Sequence, residues 1–175
     1  IEAAMDEFIK EGFNGASTNT IVKNAEISKG ALFNYFENKE NLYLYLIKEN
    51  LNKLLANFQG KKELPKSLEF FEGLELFINA NINFFTTHPN TFKFLANAIT
   101  SAPPHIRGTV LKAKRDLQGS VIKYIIASSP KEIFRNSLQI ESIENIILIL
   151  LDSLSNKYIE KYNGNIELLI SSTKE

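Results

Sequence analysis

The stretch from Ser17 to Leu42, STNTIVKNAEISKGALFNYFENKENL, constrains the fold more than any other part of the chain. Ser17 or Thr18 offers a side-chain oxygen that can cap a short helix carrying Ile21, Val22 and Ala25 inward. Glu26 then interrupts the apolar spacing, Ile27 is expected inward, and Ser28 caps a second short helix with Leu32 and Phe36 inward. Its outward residues are Lys29, Gly30, Ala31, Phe33, Asn34 and Tyr35. Asn38 opens a longer helix through Leu42, Leu46, Ile47, Leu51, Leu54, Leu55 and Phe58, ending near Gln59.

The flanking sequence keeps a helical period. Ile1, Ala4, Phe8 and Ile9 share one face of a first helix, which Gly12 ends as a C′ glycine would, leaving Phe13 to pack back. Gly60 to Pro65, with three charges, reads as a linker. A fifth helix carries two stripes, Phe71, Leu74, Ile78, Ile82 and Phe85 beside Phe70, Phe77 and Phe84, and stops at His88-Pro89. A sixth carries Phe92, Phe94, Leu95 and Ile99 up to Pro103-Pro104. The seventh carries Ile106, Val110, Ala113, Leu117, Val121 and Tyr124 up to Ser128-Ser129-Pro130. A short helix is expected over 131–138, and a last one starts at Ile166 after an Asn163-Gly164-Asn165 turn. Between them, Ile143 to Tyr162 is apolar on all sides, and a helix of that kind must be buried on all sides. A second copy of the chain is the simplest cover, through Ile143, Ile146, Leu150, Leu154 and Tyr158. With no strand pattern or repeat, the chain reads as all-α.

Composition narrows the chemistry. There is no cysteine and only two histidines, His88 and His105, which removes disulfides and thiolate sites and leaves little for histidine-based metal binding. Neither paired carboxylates nor a nucleophile with a nearby base stands out, so an enzyme is not expected; no cofactor and no metal are expected either. No apolar run suits a membrane span and no signal-peptide pattern opens the chain, which makes a cytoplasmic protein the expectation. The start at Ile1, already inside a helical pattern, and the stop at Glu175 are expected to be trimmed ends. Charge is uneven: residues 1–50 hold five lysines against eight acidic residues, and the remainder carries the compensating +3. A nucleic-acid binder usually shows the opposite, so placement has to outweigh bulk charge.

Placement does point that way. Two helices of about two turns joined by a tight turn form a helix-turn-helix, whose second helix lies in the major groove. Gly30 and Ala31 are small enough for close approach, and Lys29, Asn34 and Tyr35 offer hydrogen-bonding or stacking groups. The helix starts near Thr18, Ser28 and Asn38 present N–H groups that can each hold a phosphate.

The run G-F-N-G-A-S-T-N-T-I-V-K-N-A-E-I-S-K-G-A-L-F-N-Y-F-E-N-K-E-N-L, Gly12 to Leu42, resembles the DNA-binding domain of the TetR family of bacterial repressors. The resemblance implies an N-terminal three-helix helix-turn-helix domain, residues 1–42, joined by the fourth helix, 38–59, to a C-terminal helical effector-binding and dimerisation domain, residues 43–175. It further implies that Thr18 and Lys39 touch phosphates while Lys29, Gly30, Ala31, Phe33, Asn34 and Tyr35 face the groove. Two residues depart from the pattern. Glu26 stands where glycine is usual in the turn, and Phe33 where tyrosine is common. The implied partners are a double-stranded DNA operator, a second copy of the chain and a small hydrophobic effector.

The plainer reading of the phenylalanine stripes is core packing, with some residues spared for a cavity. Phe70, Leu74, Phe77 and Phe94 would be its apolar lining, and Asn81, Thr100 and Tyr124 its polar groups. The alternative function is an all-α small-molecule binding protein whose DNA-binding head is weakened, a reading prompted by Glu26 and the negative head.

Overall fold

The computed structural model describes residues 1–60, 69–134 and 139–162. Among these, eight α-helices follow one another: α1 (Glu2–Gly15), α2 (Thr18–Asn24), α3 (Lys29–Phe36), α4 (Lys39–Gln59), α5 (Phe70–Thr87), α6 (Pro89–Ser101), α7 (Pro104–Ser128) and α8 (Ile140–Tyr162). A 3₁₀ turn, Lys131–Ile133, follows α7, and the described residues contain no strand. The linker beyond Gly60, the end of the short helix expected over 131–138 and the last helix at Ile166 lie outside the described residues.

The chain punctuates itself where sequence chemistry requires. Gly12 takes φ +66°, a conformation that suits a residue without Cβ, and kinks α1 there. Phe13 folds back beside Phe8 and Tyr43, with ring centroids 6.2 and 5.0 Å away. Pro89 and Pro104 each occupy the first position of a helix, where the missing N–H costs nothing.

Among the described residues, two apolar clusters hold the helices together. The first joins Phe8 of α1, Ile21 of α2, Leu32 of α3 and Leu42, Tyr43, Leu46 and Ile47 of α4 to Phe94, Leu95 and Ala98 of α6 and Ile106, Val110 and Leu117 of α7. The second joins Phe58 of α4, Phe70, Phe77 and Ala80 of α5, Val121, Ile122, Ile125 and Ile126 of α7 and Ile147 and Leu148 of α8. The N-terminal helices therefore share a core with α6 and the first half of α7. Phe94 sits 5.5 Å from Tyr43 and 6.4 Å from Phe8, ring to ring.

Polar contacts fasten the same junction. Buried Asn50 of α4 donates to the Leu46 carbonyl at 2.8 Å and accepts from Thr91 of α6 at 3.3 Å. Glu40, near the start of α4, faces His105, near the start of α7, at 3.2 Å. Farther along, Asp152 of α8 receives both Lys114 and Arg115 of α7, at 2.9 and 3.4 Å. No helix among the described residues is long and apolar enough to cross a membrane.

Candidate nucleic-acid interface

Three side-chain caps build the N-terminal head. Ser17 accepts from the Thr20 amide at 3.4 Å, Ser28 from the Ala31 amide at 3.0 Å and Asn38 from the Asn41 amide at 2.8 Å. Each cap satisfies one of the amides that a helix start leaves without an intrahelical partner, and the first-turn amides before it keep their donors outward. Glu7, buried on α1, accepts from the Ser17 amide at 2.9 Å and so pins the start of α2 against α1.

The α3 helix hangs on one buried side chain, Leu32, with Phe36 half-buried beside it. Most of its other residues reach the surface. Lys29, Gly30, Asn34 and Tyr35 are exposed, Tyr35 by 84%, and Ala31 and Phe33 are half-buried. A Cβ added at Gly30 would meet only Ser28 Oγ, at 3.9 Å, so the fold does not require glycine there. Lys29 Nζ lies 5.9 Å from the centroid of the Phe33 ring, a loose cation–π placement that leaves its N–H groups to solvent.

Among the described residues, the two non-glycine residues with positive φ, Glu26 at 54° and Glu37 at 62°, bracket α3. The left-handed backbone at 26 is the physical reason a glycine suits that turn. Ile27, expected inward, is instead 44% exposed: the left-handed residue before it turns the chain, and helical spacing no longer tells which way the side chain faces.

Lys39 has a second occupation. Its ammonium donates to the Ala16 carbonyl at 3.0 Å and the Asn14 carbonyl at 3.3 Å, and lies 4.9 Å from the Phe13 ring centroid. These bonds tie the start of α4 to the end of α1 and leave one of three N–H donors for a phosphate. Thr18, half-buried at the first position of α2, offers its amide in the same direction of chemistry.

A small module with an exposed short helix whose leading end is bare of bulk, flanked by capped helix starts, is suited to a groove lined with phosphates. Comparison with known proteins bears on whose module it is. Residues 1–46 match the family model for bacterial regulatory proteins of the tetR family. The HTH-type transcriptional regulator QacR of Staphylococcus aureus is 43% identical over 63 residues, 36% of this chain and 32% of that protein. The uncharacterized HTH-type transcriptional regulator YhgD of Bacillus subtilis is 26% identical over 127 residues, 71% of this chain and 62% of that one.

Residues 1–46 carry the N-terminal domain of the tetR family.

Solved structures extend the likeness in fold to nearly the whole chain. The fatty acid degradation regulator FadR of Bacillus halodurans superposes with a TM-score of 0.71 at 17% identity, covering 98% of this chain and 91% of that one. FadR of Bacillus subtilis, crystallised in complex with stearoyl-CoA, gives 0.71 at 16% identity with the same coverages. The curated relatives are matched over less than two thirds of their lengths, 32% and 62% for the two above.

In the rest of the chain, the residues expected to line a cavity are dispersed. Phe70 and Phe77 are buried in the second cluster with Leu74 packed against it, whereas Phe94 belongs to the first cluster beside Phe8 and Tyr43. Tyr124 is 41% exposed and turns away from the interior, because the α7 stripe continues through Ile125, four residues after Val121, and not through Tyr124, three after it. Thr100 is exposed and its hydroxyl donates to the Ala96 carbonyl of its own helix at 2.9 Å. Both lie at the surface. Asn81 is half-buried, and its Oδ1 has no partner among the described residues; the same holds for Oε1 of Gln118, which sequence spacing did not single out. An unpaired buried acceptor costs about 1–3 kcal/mol.

Along α8, Ile147 and Leu148 face the body, Ile143 packs against the second cluster, and Ile146, Ile149, Leu150 and Leu154 are exposed. Ile143, half-buried and four residues before Ile147, lies toward the body beside the open stripe. The side chain of Tyr158 lies outside the described residues.

Proposed function

We propose that this chain is a transcriptional repressor that binds a palindromic DNA operator as a homodimer and is released by a small, largely hydrophobic effector. The observation that carries the reading is the exposed face of α3: Lys29, Gly30, Asn34 and Tyr35 project from a helix held to the molecule mainly by Leu32. In this reading residues 1–42 form the DNA-binding head and 43–175 the effector and dimer body. Lys29, Asn34 and Tyr35 reach base edges, Gly30 and Ala31 allow close approach, Phe33 packs on the groove wall, and Thr18, Ser28 and Lys39 hold phosphates.

The exposed stripe Ile146, Ile149, Leu150 and Leu154 supports pairing of two copies, because its residues recur at three- and four-residue spacing along one side of α8. Two heads related by a two-fold axis would read half-sites separated by one DNA turn, about 34–36 Å, or a multiple of it. The effector acts by shifting the equilibrium between head separations that fit the operator and those that do not.

Alanine at Lys29 and at Asn34 tests the groove assignment. Each substitution should weaken binding to the cognate operator by about ten-fold or more, a loss of roughly 1–3 kcal/mol per base contact, and should relax specificity at one position of each half-site. Equal, small losses on operator and random DNA would remove both residues from the base-reading face.

A further inference from the structure

The two unpartnered oxygens, Asn81 Oδ1 on α5 and Gln118 Oε1 on α7, share a place in the fold as well as a chemistry. Along α7 the first apolar cluster ends at Leu117 and the second begins at Val121, and Gln118 lies between them. Along α5 the second cluster ends at Ala80 and Phe85 packs against the first, with Asn81 between. α5 and α7 pack on each other, and Asn57 of α4 donates to the Ala80 carbonyl at 3.3 Å, so α4 reaches α5 beside Asn81. Gln118 is only 8% exposed. Leucine or methionine at either position would fill the interior without burying an unpaired amide, so packing alone does not account for the two acceptors.

We propose that Asn81 and Gln118 form the polar seat for the hydrogen-bond-donating head, a hydroxyl or a primary ammonium, of an amphiphilic effector bound at the seam between the two clusters. The proposal rests on the reading of the chain as effector-responsive and names the chemistry of that effector. Two carbonyl-type oxygens accept from a hydroxyl or an ammonium. A carboxylate, acceptor-only at neutral pH, would face two negative dipole ends unless both amides turned end for end to present their NH2 groups. The apolar remainder of the ligand suits Phe77, Val121 and Ile122, buried residues about one turn away on the same two helices. A molecule seated at the seam touches the cluster that contains the N-terminal helices and the cluster that does not, so its occupancy couples directly to the position of the head.

The test compares decan-1-ol, decylammonium and decanoate, which share a chain and differ in the head. Binding to the full chain is read by calorimetric titration and by the shift in unfolding temperature followed by circular dichroism. At least one donor-headed ligand should bind about ten-fold more tightly than decanoate, the ratio expected for one added buried hydrogen bond, and the hydroxyl and ammonium arms show which head is preferred. Asn81→Leu and Gln118→Met, both compatible with a helix interior, should bring that ratio close to one while leaving decanoate binding unchanged. Equal affinity for decanoate in the native chain, a preference that survives both substitutions, or no binding of any of the three would each overturn the proposal. The ligand ratio in the native chain stands even if a variant fails to fold. DNA binding measured on the same preparation separates this outcome from failure of the repressor reading, since either can hold without the other.

Discussion

Gly30 is the residue at which folding and DNA binding pull apart. Nothing near it resists a Cβ, so Gly30→Ala should raise helix stability by up to about 1 kcal/mol, visible as a higher unfolding temperature. If α3 lies against the groove, the same methyl should weaken operator binding; a variant more stable and equally tight would place Gly30 off the DNA. Glu26 poses the opposite case. Its φ of 54° is a conformation that glycine adopts freely, so Glu26→Gly should stabilise the head by about 1 kcal/mol and, by removing a negative charge beside α3, tighten DNA binding. Tyr43 is buried between Phe8, Phe13 and Phe94, and burial pushes its phenol up to about 12 from an ordinary value near 10. A group whose folded pKa is raised contributes stability below its unfolded pKa and loses it as pH climbs to the folded one. Stability should therefore fall between about pH 10 and 12 through Tyr43, and Tyr43→Phe should flatten that part of the denaturation profile.

Among the helices, α6 has the most unexpected role. Phe94 lies in one cluster with α1 and α4, and Phe94→Ala should cost about 3–5 kcal/mol and loosen the N-terminal helices together with α6. Hydrogen exchange would show it: loss of protection confined to α6 would deny the shared core. The sequence made the helix starts legible because caps are local chemistry; Ser17, Ser28 and Asn38 each do what their type and position suggest. Direction was harder to read where apolar residues cover a wide arc. Period alone allowed Tyr124 or Ile125 to continue the α7 stripe, and only packing against α5 chose Ile125. On α8, apolar on all sides, Ile143 and Ile146 look alike in sequence, and the body claims one and leaves the other exposed. The inward reading of Ile27 failed for a different reason, a left-handed residue before it that no spacing rule contains. Gln118 carried no signal: a polar residue beside an apolar stripe reads as its solvent edge until the neighbouring helices are in place.

For the molecule entire, the claim is a two-headed reader of DNA. Its head is acidic in sum, and its affinity has to come from capped helix starts, a few placed side chains and the pairing of two copies. Leu150→Glu should break that pairing, giving a monomer by sedimentation at micromolar concentration with the helical circular dichroism preserved. Because the second head acts through effective concentration, the monomer should also lose operator affinity by 100-fold or more, in line with the roughly 10²–10⁴-fold gain of bivalent binding. The measurement that bears most directly on the whole account is a salt-titrated binding isotherm of the full chain on DNA from upstream of its own gene and on random DNA of equal length. A two-headed reader should prefer one upstream fragment by about 10³-fold or more, with affinity that falls as salt rises. Equal affinity for native and random fragments at every salt concentration would contradict it.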